Sequence, residues 1–183
     1  MLFRSSLVRT GVVSISGHDF TVTQAGAACT FALGSNNAAH GAGLETNAVT
    51  VTTLIGCPWS VVSTNTWIEI LSAASSTNSG VASYRALANP TAIGRTGVVS
   101  IAGQPFTVTQ VGAACNFALN TNSAAHGAGA ETNTMTVTTL IGCTWSAVST
   151  NSWITILSGA NHTNSGGVNY SLPANLTALS RTG

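Results

Sequence analysis

The chain has 183 residues, enough for one large domain or two small ones, and its net charge of +1 gives no field to steer nucleic acid or an acidic membrane. Charged residues make up 5%, against about a quarter in an average protein, yet the hydrophobic share of 44% excludes a disordered tail. No run approaches the roughly 20 apolar residues of a membrane-spanning helix, so no membrane insertion is expected, and with no lysine anywhere Lys–Asn isopeptide cross-links are ruled out.

In chain order, residues 1 to 8 (MLFRSSLV) lack the apolar core of a signal peptide. They stand where ANPTAIG and ANLTALS stand before the later RTG triplets, and so read as the tail of an earlier unit. Met1 is then expected to reflect a truncated or reconstructed reading frame, the alternative being export through a segment outside these residues. RTGVVSISGHDFTVTQ at 9–24 reads as a β-hairpin. Val13 and Ile15 alternate with Ser14 and Ser16, Gly17 opens a turn, and Phe20 and Val22 alternate with Thr21 and Thr23.

Next come a short strand at 29–33 (CTFAL) and a small-residue loop, GSNNAAHGAGLETN. Strands are predicted at 48–53, 57–63 and 67–71; a polar turn, SAASSTNSG, leads to another at 81–87, and the hairpin RTGVVSIAGQPFTVTQ at 95–110 closes the unit. That is about seven strands with no helical period, the spacing of an all-β, immunoglobulin-like sandwich. The whole pattern then repeats. Cys29 matches Cys115, Trp59 matches Trp145, Trp67 matches Trp153 and Tyr84 matches Tyr170, each pair 86 residues apart. A period of this length suits a bead-like array rather than a solenoid. The expected domains are 1–25, a closing hairpin for a preceding or neighbouring domain; 26–112, a complete sandwich; and 113–183, a sandwich without its closing hairpin.

The pattern C-x-W…N-x-x-W-I-x-I…Y…N…R-T-G-x-x-x-I-x-G-x-x-F-T-V-T-Q resembles the BACON family, a bacterial immunoglobulin-like module often found in tandem, and the likeness covers nearly the whole chain. The resemblance implies tandem β-sandwiches in an extracellular or bacterial cell-surface protein. Carbohydrate binding has been proposed for that family, and other members look like plain spacers.

Four cysteines allow three pairings, and the repeat favours the one that is the same in both units, Cys29 with Cys57 and Cys115 with Cys143. The alternative is two buried free thiols per unit. Such disulfides suit an oxidising compartment and contribute about 2–4 kcal/mol each. No CxxC or histidine cluster suggests zinc, and neither a metal nor any other cofactor is expected.

Nothing points to an enzyme. His40 and Glu45, repeated as His126 and Glu131, are too few for a catalytic or metal site and read as a polar loop against a neighbouring domain or open to water. Glu69 becomes Thr155 and Asp19 becomes Pro105 in the second copy, so neither acid serves a chemistry common to both. Trp59, Trp67, Trp145 and Trp153 read as core residues near the disulfides, as do Tyr84 and Tyr170 in their strands. In the alternative function, a carbohydrate-binding module with glycans as partner, Trp67, Trp153, Tyr84 and Tyr170 are the residues that would stack on sugar rings. NHT at 161, NYS at 169 and NLT at 175 match the glycosylation pattern, but a chain rich in Asn and Thr produces such matches by chance.

Without a hairpin the last unit lacks counterparts of Val99, Ile101, Phe106 and Val108. At about 1.5–3 kcal/mol per buried side chain this removes about 6–12 kcal/mol, comparable with the whole stability of a small domain, about 5–15 kcal/mol. The missing piece is present at 9–24, where Val13, Ile15, Phe20 and Val22 carry the same apolar pattern. The expected function is therefore a non-catalytic structural protein, a head-to-tail homopolymer or stalk in which this hairpin completes the last domain of another copy, or of a longer covalent array.

Overall fold

The computed structural model describes Ser5–Gly183; the reading of Met1 lies outside the described residues. The chain is all-β. No helix occurs among the described residues, so none is long and apolar enough to cross a membrane, which says nothing of a strand-built barrel. Two compact units are present. The first takes in the described residues as far as Asn89 and returns for Arg95–Val111; the second comprises Pro90–Gly94 and Gly112–Gly183.

The first unit opens with β1 (Arg9–Ile15) and β2 (His18–Gln24), which pair only with each other. Then follow β3 (Ala32–Leu33), β4 (Asn37–His40), β5 (Glu45–Thr52), β6 (Pro58–Ser63) and β7 (Ile68–Ile70). β8 (Ser75–Thr77), β9 (Gly80–Ala86), β10 (Arg95–Ile101) and β11 (Gln104–Gln110) complete it. A five-stranded sheet in the order β4-β11-β10-β6-β8 and a four-stranded sheet in the order β3-β5-β9-β7 enclose one core. Alternate residues face inward, as the pleat requires: Val49 and Val51 from β5, Trp59 and Val61 from β6, and Ala82 and Tyr84 from β9. Against them lie Val99, Ile101, Phe106 and Val108 from the β10–β11 hairpin, all completely buried.

Two short strands fall where loop and turn are expected. β4 lies in the small-residue loop and pairs in parallel with β11, Asn37 to Thr107 through His40 to Gln110. Its pairing partner is remote in sequence, and its residues carry no β-branched signal. β8, in the polar turn, pairs with the start of β6, Pro58 to Thr77.

The second unit repeats the plan as β12 (Ala118–Leu119), β13 (Glu131–Thr138), β14 (Thr144–Ser146), β15 (Thr155–Ser158), β16 (Asn161–Thr163) and β17 (Gly166–Leu172). Its four-stranded sheet, β12-β13-β17-β15, matches β3-β5-β9-β7. The opposite sheet shrinks to β14-β16. β6 runs for six residues but β14 for three, because residues 147–149 have, among the described residues, no counterpart of β10 beside them. Residues 123–126, the counterpart of β4, form no strand for the same reason.

Cys29–Cys57 and Cys115–Cys143 are disulfides, each spanning 28 residues. Cys57 and Cys143 are wholly buried, and each bond ties the segment before a short first strand to the residue before β6 or β14. Such bonds belong to an oxidising, non-cytoplasmic environment.

Candidate functional site

Two arrangements make up the candidate site. The first is the β1–β2 hairpin. Its register pairs Val13 with Phe20 and Gly11 with Val22, so Val13, Ile15, Phe20 and Val22 share one face. A tight turn at Ser16 and Gly17, both with positive φ, sets this register, and Ala102 and Gly103 do the same for β10–β11. That face is uncovered: Val13 is 51%, Ile15 62%, Phe20 62% and Val22 47% exposed, whereas Val99, Ile101, Phe106 and Val108 at the matching positions are 0% exposed. Backbone hydrogen bonds anchor the flanks of the hairpin. Ser6 donates its backbone N–H to Ile55 O (2.9 Å) and Ala27 donates to Ser5 O (2.8 Å).

The second is a groove of about 1390 Å³ in the second unit. Val137, Trp145, Ile154, Ile156, Val168 and Tyr170 are among its lining. Subtracting the repeat of 86 gives Val51, Trp59, Ile68, Ile70, Ala82 and Tyr84, all of which in the first unit belong to or pack against the core that holds β10–β11. Phe117 and Leu119 are 51% and 52% exposed, although their counterparts Phe31 and Leu33 pack against the first core. An apolar surface of this kind is what soluble domains avoid leaving open.

Each unit holds an arginine seat. Arg95 lies 4.4 Å over the Trp67 ring, donates Nε–H to Gln110 Oε1 (2.8 Å) and donates from its guanidinium to Leu87 O (2.6 Å) and Ala88 O (3.1 Å). Burial holds its pKa below the usual arginine range. Gln110 extends the network by donating to Gly43 O and Leu87 O. In the second unit Arg181 takes the same seat, 4.5 Å over Trp153, and donates to Pro173 O (2.6 Å).

The expected sugar-stacking residues have other surroundings. Tyr84 is 1% and Tyr170 8% exposed, so both are interior, and one ring face of Trp67 and of Trp153 carries a guanidinium. Trp59 is buried and donates its indole N–H to Asn78 O. Trp145, half-buried, stacks on His162.

His40 is not a loop residue against a neighbouring domain or water, as expected from its setting. It is buried within its own unit, between Glu45 Oε2 on Nδ1 (2.9 Å) and the Tyr84 hydroxyl on Nε2 (2.8 Å). His126 repeats this with Glu131 (2.8 Å) and Tyr170 (3.0 Å). The histidine hydrogen bond, then the Gly41 backbone N–H, lowers the Glu45 pKa; His126 and Gly127 do the same for Glu131. The separation of 44 residues between histidine and tyrosine, kept in both copies, was the available signal. Among the described residues no group of three or more His, Cys, Asp or Glu side chains could hold a metal ion.

No protein-family model matches the chain, and no curated protein matches it.

Proposed function

We propose that the protein is a non-catalytic, extracellular structural component in a head-to-tail filament or stalk, the β1–β2 hairpin filling a groove like that of the second unit, in another copy or in the preceding unit of a longer covalent array. One observation carries the reading: four apolar side chains are wholly buried in β10–β11 and about half or more exposed in β1–β2, while the matching cavity in the second unit is open. The register follows from the first unit. Val13, Ser14 and Ile15 would pair with Ser149, Val148 and Ala147, and Thr21–Gln24 would run parallel to 123–126, as β10 pairs with β6 and β11 with β4. Phe20 would take the place of Phe106, whose ring meets Tyr84 edge-on at 5.8 Å, and so would meet Tyr170. A contact between unlike surfaces does not close on itself and extends into a filament. The resemblance to the bacterial immunoglobulin-like BACON module supports an array at the cell surface, as do the paired cysteines.

Size-exclusion chromatography with light scattering, followed by electron microscopy of the 183-residue chain, tests this. Concentration-dependent polymers that disappear in Phe20→Asp are expected. A compact 18.4 kDa monomer at high concentration, with residues 9–24 cleaved readily by protease, would overturn it.

A further inference from the structure

The apolar pattern of the closing hairpin does not by itself fix where the hairpin sits. Side chains alternate with period two, so sliding β10 by two residues along β6 would still turn valine and isoleucine inward. The observed pairing, Val99 with Ser63 and Ile101 with Val61, needs a further cause. A glycine supplies it. Gly97 is buried within β10, and its φ lies outside the left-handed region, so its backbone does not call for glycine. The space around it does: a Cβ there would lie 2.8 Å from Cγ and Oδ1 of Asn65 and 2.9 Å from Cδ1 of Ile68. Gly11, its counterpart in β1, has nothing within 4 Å of the same point. Glycine is thus idle in the uncovered hairpin and required only against a host. Resting on the strand-donation reading above, we propose that Asn65, repeated as Asn151, is the register-determining residue of the host groove, and that Gly11 is the feature by which β1–β2 is admitted in one position only.

Asn65 stands in the turn between β6 and β7 and is held from three sides. Its N–H donates to Ser63 Oγ (3.2 Å), its carbonyl accepts from Ile68 N–H (3.1 Å), and its Nδ2–H donates to Val98 O (2.8 Å), on the residue after the glycine. Swinging the side chain aside to admit a Cβ would break that last bond, and Ile68 is packed in the core. The same turn stands in the second unit, where Asn151 N–H donates to Ser149 Oγ (3.2 Å) and Ile154 N–H to Asn151 O (3.1 Å). The close approach recurs there too: a Cβ on Gly183 would lie 2.7 Å from Ile154, 2.8 Å from Trp153 and 3.1 Å from Asn151. A slip by two residues would bring Arg95 or Val99, and in the donated hairpin Arg9 or Val13, to the place where only hydrogen fits. The asparagine therefore combines one attraction, to a backbone carbonyl, with one exclusion, and a single register satisfies both.

Gly97→Ala and Gly11→Ala are made in the 183-residue chain, each alone and with the facing asparagine changed to alanine. Gly97→Ala should shift the folding equilibrium of the first unit roughly 10- to 100-fold toward the unfolded state in a denaturant titration, and Asn65→Ala should cost less in that background than in the unmodified chain. Gly11→Ala should leave the unfolding midpoint of the monomer no lower, yet weaken self-association by a similar factor in sedimentation, with Asn151→Ala in the same chain restoring part of it. A Gly97→Ala chain as stable as the unmodified one overturns the steric lock. Gly11→Ala chains that associate as tightly as the unmodified chain overturn Gly11 as the admitting feature and leave strand donation standing. An unmodified chain that does not self-associate overturns strand donation between copies and the role of Gly11 in it, while Gly97→Ala still decides the lock within the first unit.

Discussion

Phe20 and Phe106 are the same residue in two circumstances, and the contrast between them is measurable. Phe106 is wholly buried, so Phe106→Ala should destabilise the first unit by about 3–5 kcal/mol in a denaturant titration. Phe20 is 62% exposed, so Phe20→Ala should leave the thermal midpoint of the isolated monomer almost unchanged. Its effect should appear instead as self-association weakened roughly 10²–10³-fold, read by sedimentation. Glu45 provides a second check. Its carboxyl is held below the usual carboxylate range, first by the His40 hydrogen bond and then by the Gly41 N–H. A depressed folded-state pKa means that the stabilisation is present above the unfolded carboxylate pKa and is lost as pH falls through the folded one. Thermal midpoints should therefore decline from about pH 5 downward, and Glu45→Gln should flatten that part of the acid limb. A variant whose acid limb matches that of the unmodified chain would show that the pair contributes nothing.

Each disulfide anchors the segment before β3 or β12 to a wholly buried cysteine, and the two units should differ in how much they depend on it. Reduction removes a constraint of about 2–5 kcal/mol. The first unit has its complete core to fall back on, whereas the second has an open groove. Reductant should accordingly make the second unit unfold first, which hydrogen exchange on peptides from β13 and β17 would report. The long strands were legible because alternation of Val, Ile and Thr with small polar residues leaves little choice of period, and the hairpins because their letters recur unchanged in number. β4 was not legible: Asn37–His40 is extended through parallel pairing with β11, about 70 residues away, and no local pattern encodes a partner at that distance. The loss of strand at 123–126 shows the dependence directly, since nearly the same residues remain irregular when that partner is missing. The candidate site was legible in its apolar half. Its cationic half was not, because a tryptophan and an arginine 28 residues apart show no relation until the sheet brings them within 4.5 Å.

For the chain as a whole, self-association should depend little on salt, because a net charge of +1 and burial of valine, isoleucine and phenylalanine leave little for ions to screen. Light scattering of growing polymer across sodium chloride concentrations checks this, and a steep loss at high salt would point to a charge-driven contact instead. A synthetic peptide of residues 9–24 should act as a terminator, occupying the groove without supplying a further one, so sub-stoichiometric amounts should shorten the polymers seen by electron microscopy. The ladder of β1 and β2 has a mechanical corollary. Both strands leave the turn at Ser16 and Gly17 and return to the same end, where Ser5, Ser6 and Ala27 fasten them to their own unit. Tension on that tether would act along the strands, so every rung joining them to a host sheet would bear load together instead of tearing open one by one. A thread made this way would resist stretching far better than peeling.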